Sequence, residues 1–330
     1  MKRRIIIGIH GLGNKPPQPL LQNWWQKAIC EGLRRIGTSS PGLHFKLVYW
    51  AHFLYSEPQD ICETDAEHPL YIDHPYVPGP RDWRETNPSR FKKGLLNTID
   101  ALFEHVFMTE NRVFNFDRLG DYILRKKFRD LELYYHKGNV GLNQVGLHAQ
   151  NMIRETLARV LKAHRRKEIM LISHSMGTVI AYDVLAQLEP ELPIHTLITL
   201  GSPLGLPTIM KKIYSEQGRD FTREKTLPTP ENITNQWLNF SDLDDHIAMN
   251  YTLRDDFAPN SRGVAPEDVI VKNDYEFRRK PNHHKSYGYL RTPELARVIR
   301  DFSAGGRPPR LAFLHRFAEK LAARRANHRA

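Results

Sequence analysis

Continuous apolar runs and helical stripes alternate along this chain. Ile5-Ile6-Ile7-Gly8-Ile9 is a β-branched run without polar alternation, the pattern of a strand buried on both faces of a parallel sheet. Leu21, Trp24, Trp25, Ala28, Ile29 and Leu33 then recur with a helical period. Leu47-Val48-Tyr49-Trp50 reads as a second strand, so the chain opens β-α-β. Met152, Ile153, Leu157, Val160 and Leu161 mark an amphipathic helix. It ends in His164-Arg165-Arg166-Lys167, cations that suit a helix C-terminus. The run Ile169-Met170-Leu171-Ile172 follows, and Ser173-His174-Ser175-Met176-Gly177 breaks it before a new helical pattern. Thr196-Leu197-Ile198-Thr199-Leu200, Gln236-Trp237-Leu238-Asn239-Phe240 and Val269-Ile270-Val271 supply further strands, and 293–302 a last helix. The expected fold class is α/β, with a mostly parallel central sheet flanked by helices.

Three segments depart from this rhythm. Residues 51–140 collect prolines and aromatic residues, with helical patterns over 95–107 and 119–135. They read as a helical, cap-like insertion too aromatic for a disordered linker. Residues 206–235 are polar and proline-containing and read as a second insertion. The domain expected is therefore 1–305, followed by a basic C-terminal helix or tail over 306–330. There Leu311, Leu314, Phe317 and Leu321 share one helical face among arginines and lysines. Such a helix admits peripheral contact with anionic lipid, although packing on its own domain is the commoner use.

With 330 residues the chain can bury a sizeable core. Its net charge of +11 raises nucleic acid as a partner, but the basic residues are dispersed and no nucleic-acid-binding signature occurs, so none is expected. Cys30 and Cys62 make no disulfide framework, which fits reduced thiols in a cytoplasmic chain. The apolar run after Met1-Lys2-Arg3-Arg4 is too short for a signal peptide, and no run approaches membrane-span length. The acidic, histidine and cysteine positions between Asp60 and His74 match no standard metal-site spacing, so no metal is expected.

The chemistry is concentrated at Ser175. A serine caught between a buried strand and a helix start, with small Ser173 and Gly177 two positions either side, is the arrangement of a nucleophile elbow. The turn would hold its hydroxyl exposed at the strand end, over a helix N-terminus that favours negative charge. His10-Gly11-Leu12-Gly13 ends the first strand without a phosphate-loop spacing. It reads either as a tight turn or as a loop whose amides approach a carbonyl oxygen. A serine nucleophile needs a base, and the base an acid to fix its tautomer. Strand ends further along offer Asp242, Asp244 and Asp245, then His283 and His284, in the order Ser, Asp, His.

In these motifs the chain resembles the α/β-hydrolase family, and within it lipase- and esterase-like members. The resemblance covers 5–13, 168–205, 236–248 and 268–290. Ser173 departs from the family's glycine. The resemblance implies an α/β-hydrolase fold with cap-like insertions. It implies Ser175, Asp245 and His284 as the catalytic triad, with Asp242 and His283 as alternates. Asp245 is favoured because it precedes Ile247 by two positions, His284 because His284-Lys285-Ser286-Tyr287 is similar to the family's motif around the base. The amides of Leu12 and Met176 would form the oxyanion hole. The function implied is a serine hydrolase cleaving a carboxylic ester, small or lipid-like, without a cofactor. Thioesterase, amidase and peptidase chemistry, or a non-catalytic lipid- or protein-binding module, are the alternatives.

Overall fold

The computed structural model describes residues 3–39, 42–80, 134, 143–220, 226–246 and 251–305. The helical patterns at 95–107 and 119–135 and the basic tail at 306–330 lie outside the described residues.

The first strand, β1 (Arg4–Ile9), is buried along nearly its whole length, as its unbroken apolar run requires. Helix α1 (Gln18–Arg35) starts behind Pro17 and carries Pro19 in its first turn, where a fixed φ suits the helix. Strand β2 (Phe45–Val48) pairs parallel to β1, and α2 (Asn143–Ala163) carries the chain to β3 (Glu168–His174) on the other side of β1. Helix α3 (Met176–Asp183) and a π-helical turn at Val184–Leu188 lead to β4 (Ile194–Leu200). Helix α4 (Pro207–Glu216) and the short β5 (Leu227–Pro228) precede β6 (Ile233–Ser241). After β7 (Phe257–Ala258) come β8 (Pro266–Ile270), the hairpin β9 (Glu276–Phe277) and β10 (Lys280–Pro281), α5 (Ser286–Leu290) and α6 (Pro293–Ala304). Gly305, at φ 84°, ends α6 in the left-handed region open to glycine.

The six-stranded sheet runs β2-β1-β3-β4-β6-β8, and every neighbouring pair in it is parallel. This is an α/β fold with helices on both faces. Strand residues alternate between two cores, because successive side chains point to opposite faces. Ile5, Ile7, Ile9, Ile169, Leu171 and Leu197 pack with α2, α3 and α4; Ile6, Met170, Ile172 and Ile198 pack with α1, α5 and α6. Gly8 lets α1 come close: a Cβ there would lie 2.8 Å from Phe45 and 3.0 Å from Trp25.

The order reverses between β1 and β3. In an open parallel sheet that switch point is where the loops beyond the strand ends part and leave a crevice.

Two observations differ from the sequence expectations. Strand β8 lies at 266–270 rather than 269–271, and within 206–235 helix α4 is a regular flanking element. Its Ile209, Met210, Ile213 and Tyr214 are buried against the sheet, a helical stripe inside an otherwise polar segment. The described part of the 51–140 insertion is tied down at both ends, on opposite faces. Near 75–79, Tyr275 donates to the Pro75 carbonyl at 2.6 Å, Arg291 to that of Val77 at 2.8 Å, and the Gly79 amide to Glu31 at 2.7 Å. Tyr134 is held on the other face by Arg154 and Asp183. Among the described residues no helix is long and apolar enough to cross a membrane.

Candidate active site

Ser175 joins β3 to α3 with φ 55° and ψ −129°, a conformation that is rare for a residue bearing a Cβ. Its surroundings enforce it. The Ser175 amide donates to Leu200 O at 2.9 Å on β4, and its carbonyl accepts from the Thr178 amide at 2.8 Å and hydroxyl at 2.7 Å. Gly177 is required because a Cβ would fall 2.7 Å from His10 O and 2.8 Å from Ile9 O, where α3 crosses the end of β1. Ser173 fits the opposite flank: its hydroxyl donates to Ile198 O at 2.9 Å, so it is fully buried yet satisfied. Ser175 does not stand exposed, as the strand-end argument expects, but is 6% accessible. Gly11 presses against it, since a Cβ on Gly11 would lie 2.7 Å from Ser175 Cβ, and His284 covers its hydroxyl.

His284 Nε2 is 2.9 Å from Ser175 Oγ, and its Nδ1 is 2.8 Å from Asp245 Oδ2 and 3.0 Å from Oδ1. A carboxylate only accepts, so Nδ1 carries the proton, and in the neutral ring Nε2 keeps its lone pair for the serine. Asp245 is fully buried at the end of β6 and also accepts from Tyr289 Oη at 2.8 Å. Gly201, at φ 53° after β4, makes room: a Cβ would lie 2.8 Å from Asp245 Oδ2. These groups meet because β3, β6 and β8 are parallel, so their C-terminal ends share one edge of the sheet.

The alternates occupy a neighbouring layer. Asp242 accepts from the Asn273 amide at 2.5 Å and the Asp244 amide at 2.8 Å, and His283 Nδ1 is 3.4 Å from its Oδ2. Asp242 thus organises the β6 and β8 loops, and its carboxylate beside His283 holds that ring's pKa above the ordinary value. Tyr289 Oη links the two aspartates, accepting from the Asp242 amide at 3.0 Å while donating to Asp245. Donor atoms of Asp242, Asp244 and His283 lie within 4.8 Å of one another, but both Asp242 oxygens already accept backbone N–H groups.

The loop after β1 is fixed by two side chains. His10 is buried and stacked on Trp50 at 4.9 Å. The Trp50 amide donates to His10 Nε2 at 3.1 Å, so Nδ1 carries the proton and donates to Gly11 O at 2.8 Å. Burial, aided by the Lys15 charge, pushes the His10 pKa well below its ordinary value, and the ring is neutral. In a planar trans peptide the Leu12 N–H points opposite to Gly11 O, so this bond turns it away from His10. Lys15 Nζ donates to the Leu12 carbonyl and to those of Gly13 at 2.8 Å and Asn14 at 3.4 Å. Among the described residues, neither the Leu12 nor the Met176 amide donates to a backbone carbonyl.

Sequence reasoning assigned no role to His174. Its Nε2 is 2.7 Å from His284 O, and its ring centroid is 4.9 Å from that of His284. The residue before the candidate nucleophile thus holds the backbone of the histidine that faces it. The only signal for this was the histidine within Ser173-His174-Ser175; its partner lies 110 positions away.

Fold and site together define an α/β protein with a buried Ser–His–Asp hydrogen-bond chain at the switch point of a parallel sheet. In sequence comparisons no family profile and no curated protein matches this chain.

Proposed function

We propose that this protein is a serine hydrolase of the α/β-hydrolase type that cleaves carboxylic esters through an acyl-enzyme. The observation that carries this reading is the line from Ser175 Oγ through the His284 ring to Asp245, with gaps of 2.9 and 2.8 Å. It converges on a serine held at positive φ. Strain at a buried hydroxyl that faces a base is the signature of a nucleophile elbow.

In the reaction, His284 Nε2 takes the Ser175 proton as Oγ bonds to the ester carbonyl carbon. The oxygen that gains charge faces the amides of Leu12 and Met176, the second at the N-terminus of α3. The imidazolium, held by Asp245, passes its proton to the leaving alkoxide as the C–O bond breaks. Water then gives a proton to Nε2 and adds to the acyl carbon, and Ser175 leaves with that proton. The products are a carboxylic acid and an alcohol. Leu12, Phe53, Leu54 and Leu206 are only partly buried beside the α2–α4 core and support an apolar, lipid-like acyl group.

A fluorophosphonate probe tests the reading. Wild-type protein is expected to label at Ser175, and Ser175→Ala to remain unlabelled. Folded wild-type protein that neither labels nor hydrolyses any of a panel of p-nitrophenyl esters would overturn it.

A further inference from the structure

The β9–β10 hairpin spends backbone strain on charge. Phe277 pairs with Lys280, so Arg278 and Arg279 alone form the turn. Their φ values are 51° and 60°. A two-residue turn with both φ positive is the natural place for Asn-Gly, because a Cβ is strained there. Beyond one contact of Arg278 with the neighbouring Phe277 ring, the two arginines make no bond among the described residues that Asn-Gly would lack. Both side chains are exposed, as is that of Lys280. Arg278 lies over the half-buried Phe277 ring at 5.1 Å. Among the described residues none of the three cations takes part in an ion pair, whereas the buried Arg35, Arg154 and Arg291 are all paired with carboxylates.

Strain retained at an exposed turn for no more than one ring contact within the hairpin points to a contact outside the molecule. Three consecutive cations on a pinned turn suit phosphate-bearing surfaces, and guanidinium forks match phosphate geometry. The patch is a tip with an aromatic shoulder rather than a groove that could follow a nucleic-acid backbone, and such a tip fits the headgroup layer of a bilayer. The hairpin also runs directly into the loop bearing His284, and the Asn282 amide ties that loop to Tyr275 O at 2.9 Å.

We propose that the β9–β10 hairpin docks this protein on anionic phospholipid through Arg278, Arg279 and Lys280. The proposal concerns binding alone and stands or falls independently of ester hydrolysis. The test is co-sedimentation of the full chain with phosphatidylcholine vesicles, with and without phosphatidylserine, across a salt series. Wild-type protein is expected to prefer the phosphatidylserine vesicles and to lose that preference as salt rises. R278N/R279G supplies the turn's favoured residues, so it should melt no lower than wild type yet bind about 25-fold more weakly, at about fivefold per basic residue lost. Lys280→Gln leaves the turn untouched and should bind about fivefold more weakly. Three results would each overturn the proposal: no phosphatidylserine preference in the wild type, undiminished binding by both variants, or capture of duplex DNA in place of vesicles.

Discussion

Among the described residues, two of the buried polar clusters are built to opposite ends. One joins Arg154 to Asp183 at 2.6 Å and to Glu216 at 2.5 Å, with Tyr134 Oη 2.8 Å from Arg154 and 2.9 Å from Asp183. It ties α2, α3 and α4 to the insertion, and its charges answer one another. The other joins Ser175, His284, Asp245 and Tyr289 in a single line that ends on a hydroxyl at a strained backbone. Both are buried and rich in titratable groups, so neither burial nor a shifted pKa tells them apart. Geometry does: the first network gathers around the Arg154 guanidinium, whereas the second leads to one hydroxyl.

The sharpest break of that comparison is His284→Ala. It should lower ester turnover on the order of 10⁵-fold while leaving the urea unfolding midpoint close to wild type. Arg154→Met should do the reverse. It leaves two buried carboxylates without their cation and should cost about 4 kcal/mol in urea unfolding, with unchanged turnover per folded molecule.

Asp183 sharpens the contrast through pH. Burial pushes its carboxyl up to about 6 against the pull of Arg154. The folded state therefore binds this proton more tightly than the unfolded chain. The stabilisation linked to it is complete below the unfolded pKa of about 4 and is lost as pH rises towards 6. Between those limits wild type should lose up to about 3 kcal/mol relative to Asp183→Asn in parallel urea titrations. The smallest effect belongs to His174→Ala, which frees the His284 backbone but removes no reacting group. A fall in kcat of about tenfold at constant KM, restored in part by Gln, would mark it as a positioning residue. Equal loss from Ala and Gln with a lowered melting temperature would make it a packing residue only.

Much of the fold was legible because a parallel sheet writes its strands as unbroken apolar runs, as in Ile5-Ile6-Ile7 and Ile169-Met170-Leu171-Ile172. The turn at Ser175 was legible because a tight strand-to-helix turn demands small flanks, and the structure shows what Gly177 avoids. Between the aspartates the residues themselves left the choice open and only the family resemblance favoured Asp245; in the structure Asp245 meets His284 and Asp242 braces the loops. What stayed hidden were contacts with no spacing rule. Tyr289 reaches Asp245 across 44 positions and His174 reaches a carbonyl across 110. Lys15 grips carbonyls of its own loop, so its partners leave no mark in side-chain pattern. Helix α4 was overlooked although Ile209, Met210, Ile213 and Tyr214 form a stripe, because the polar residues around it dominated the segment.

The order of strands in the sheet also has a consequence in time. Strand β1 pairs with β3, joining Arg4 to Glu168 across 164 positions, and Ser175 meets His284 only 109 residues further on. A ribosome releases the N-terminal end first. The growing chain therefore carries the serine for 109 positions before the histidine exists. Long-range parallel pairing is slow to form as well. The Ser175 hydroxyl can meet the His284 ring only after β8 and the hairpin behind it have been made, so this hydrogen bond is among the late contacts of the fold.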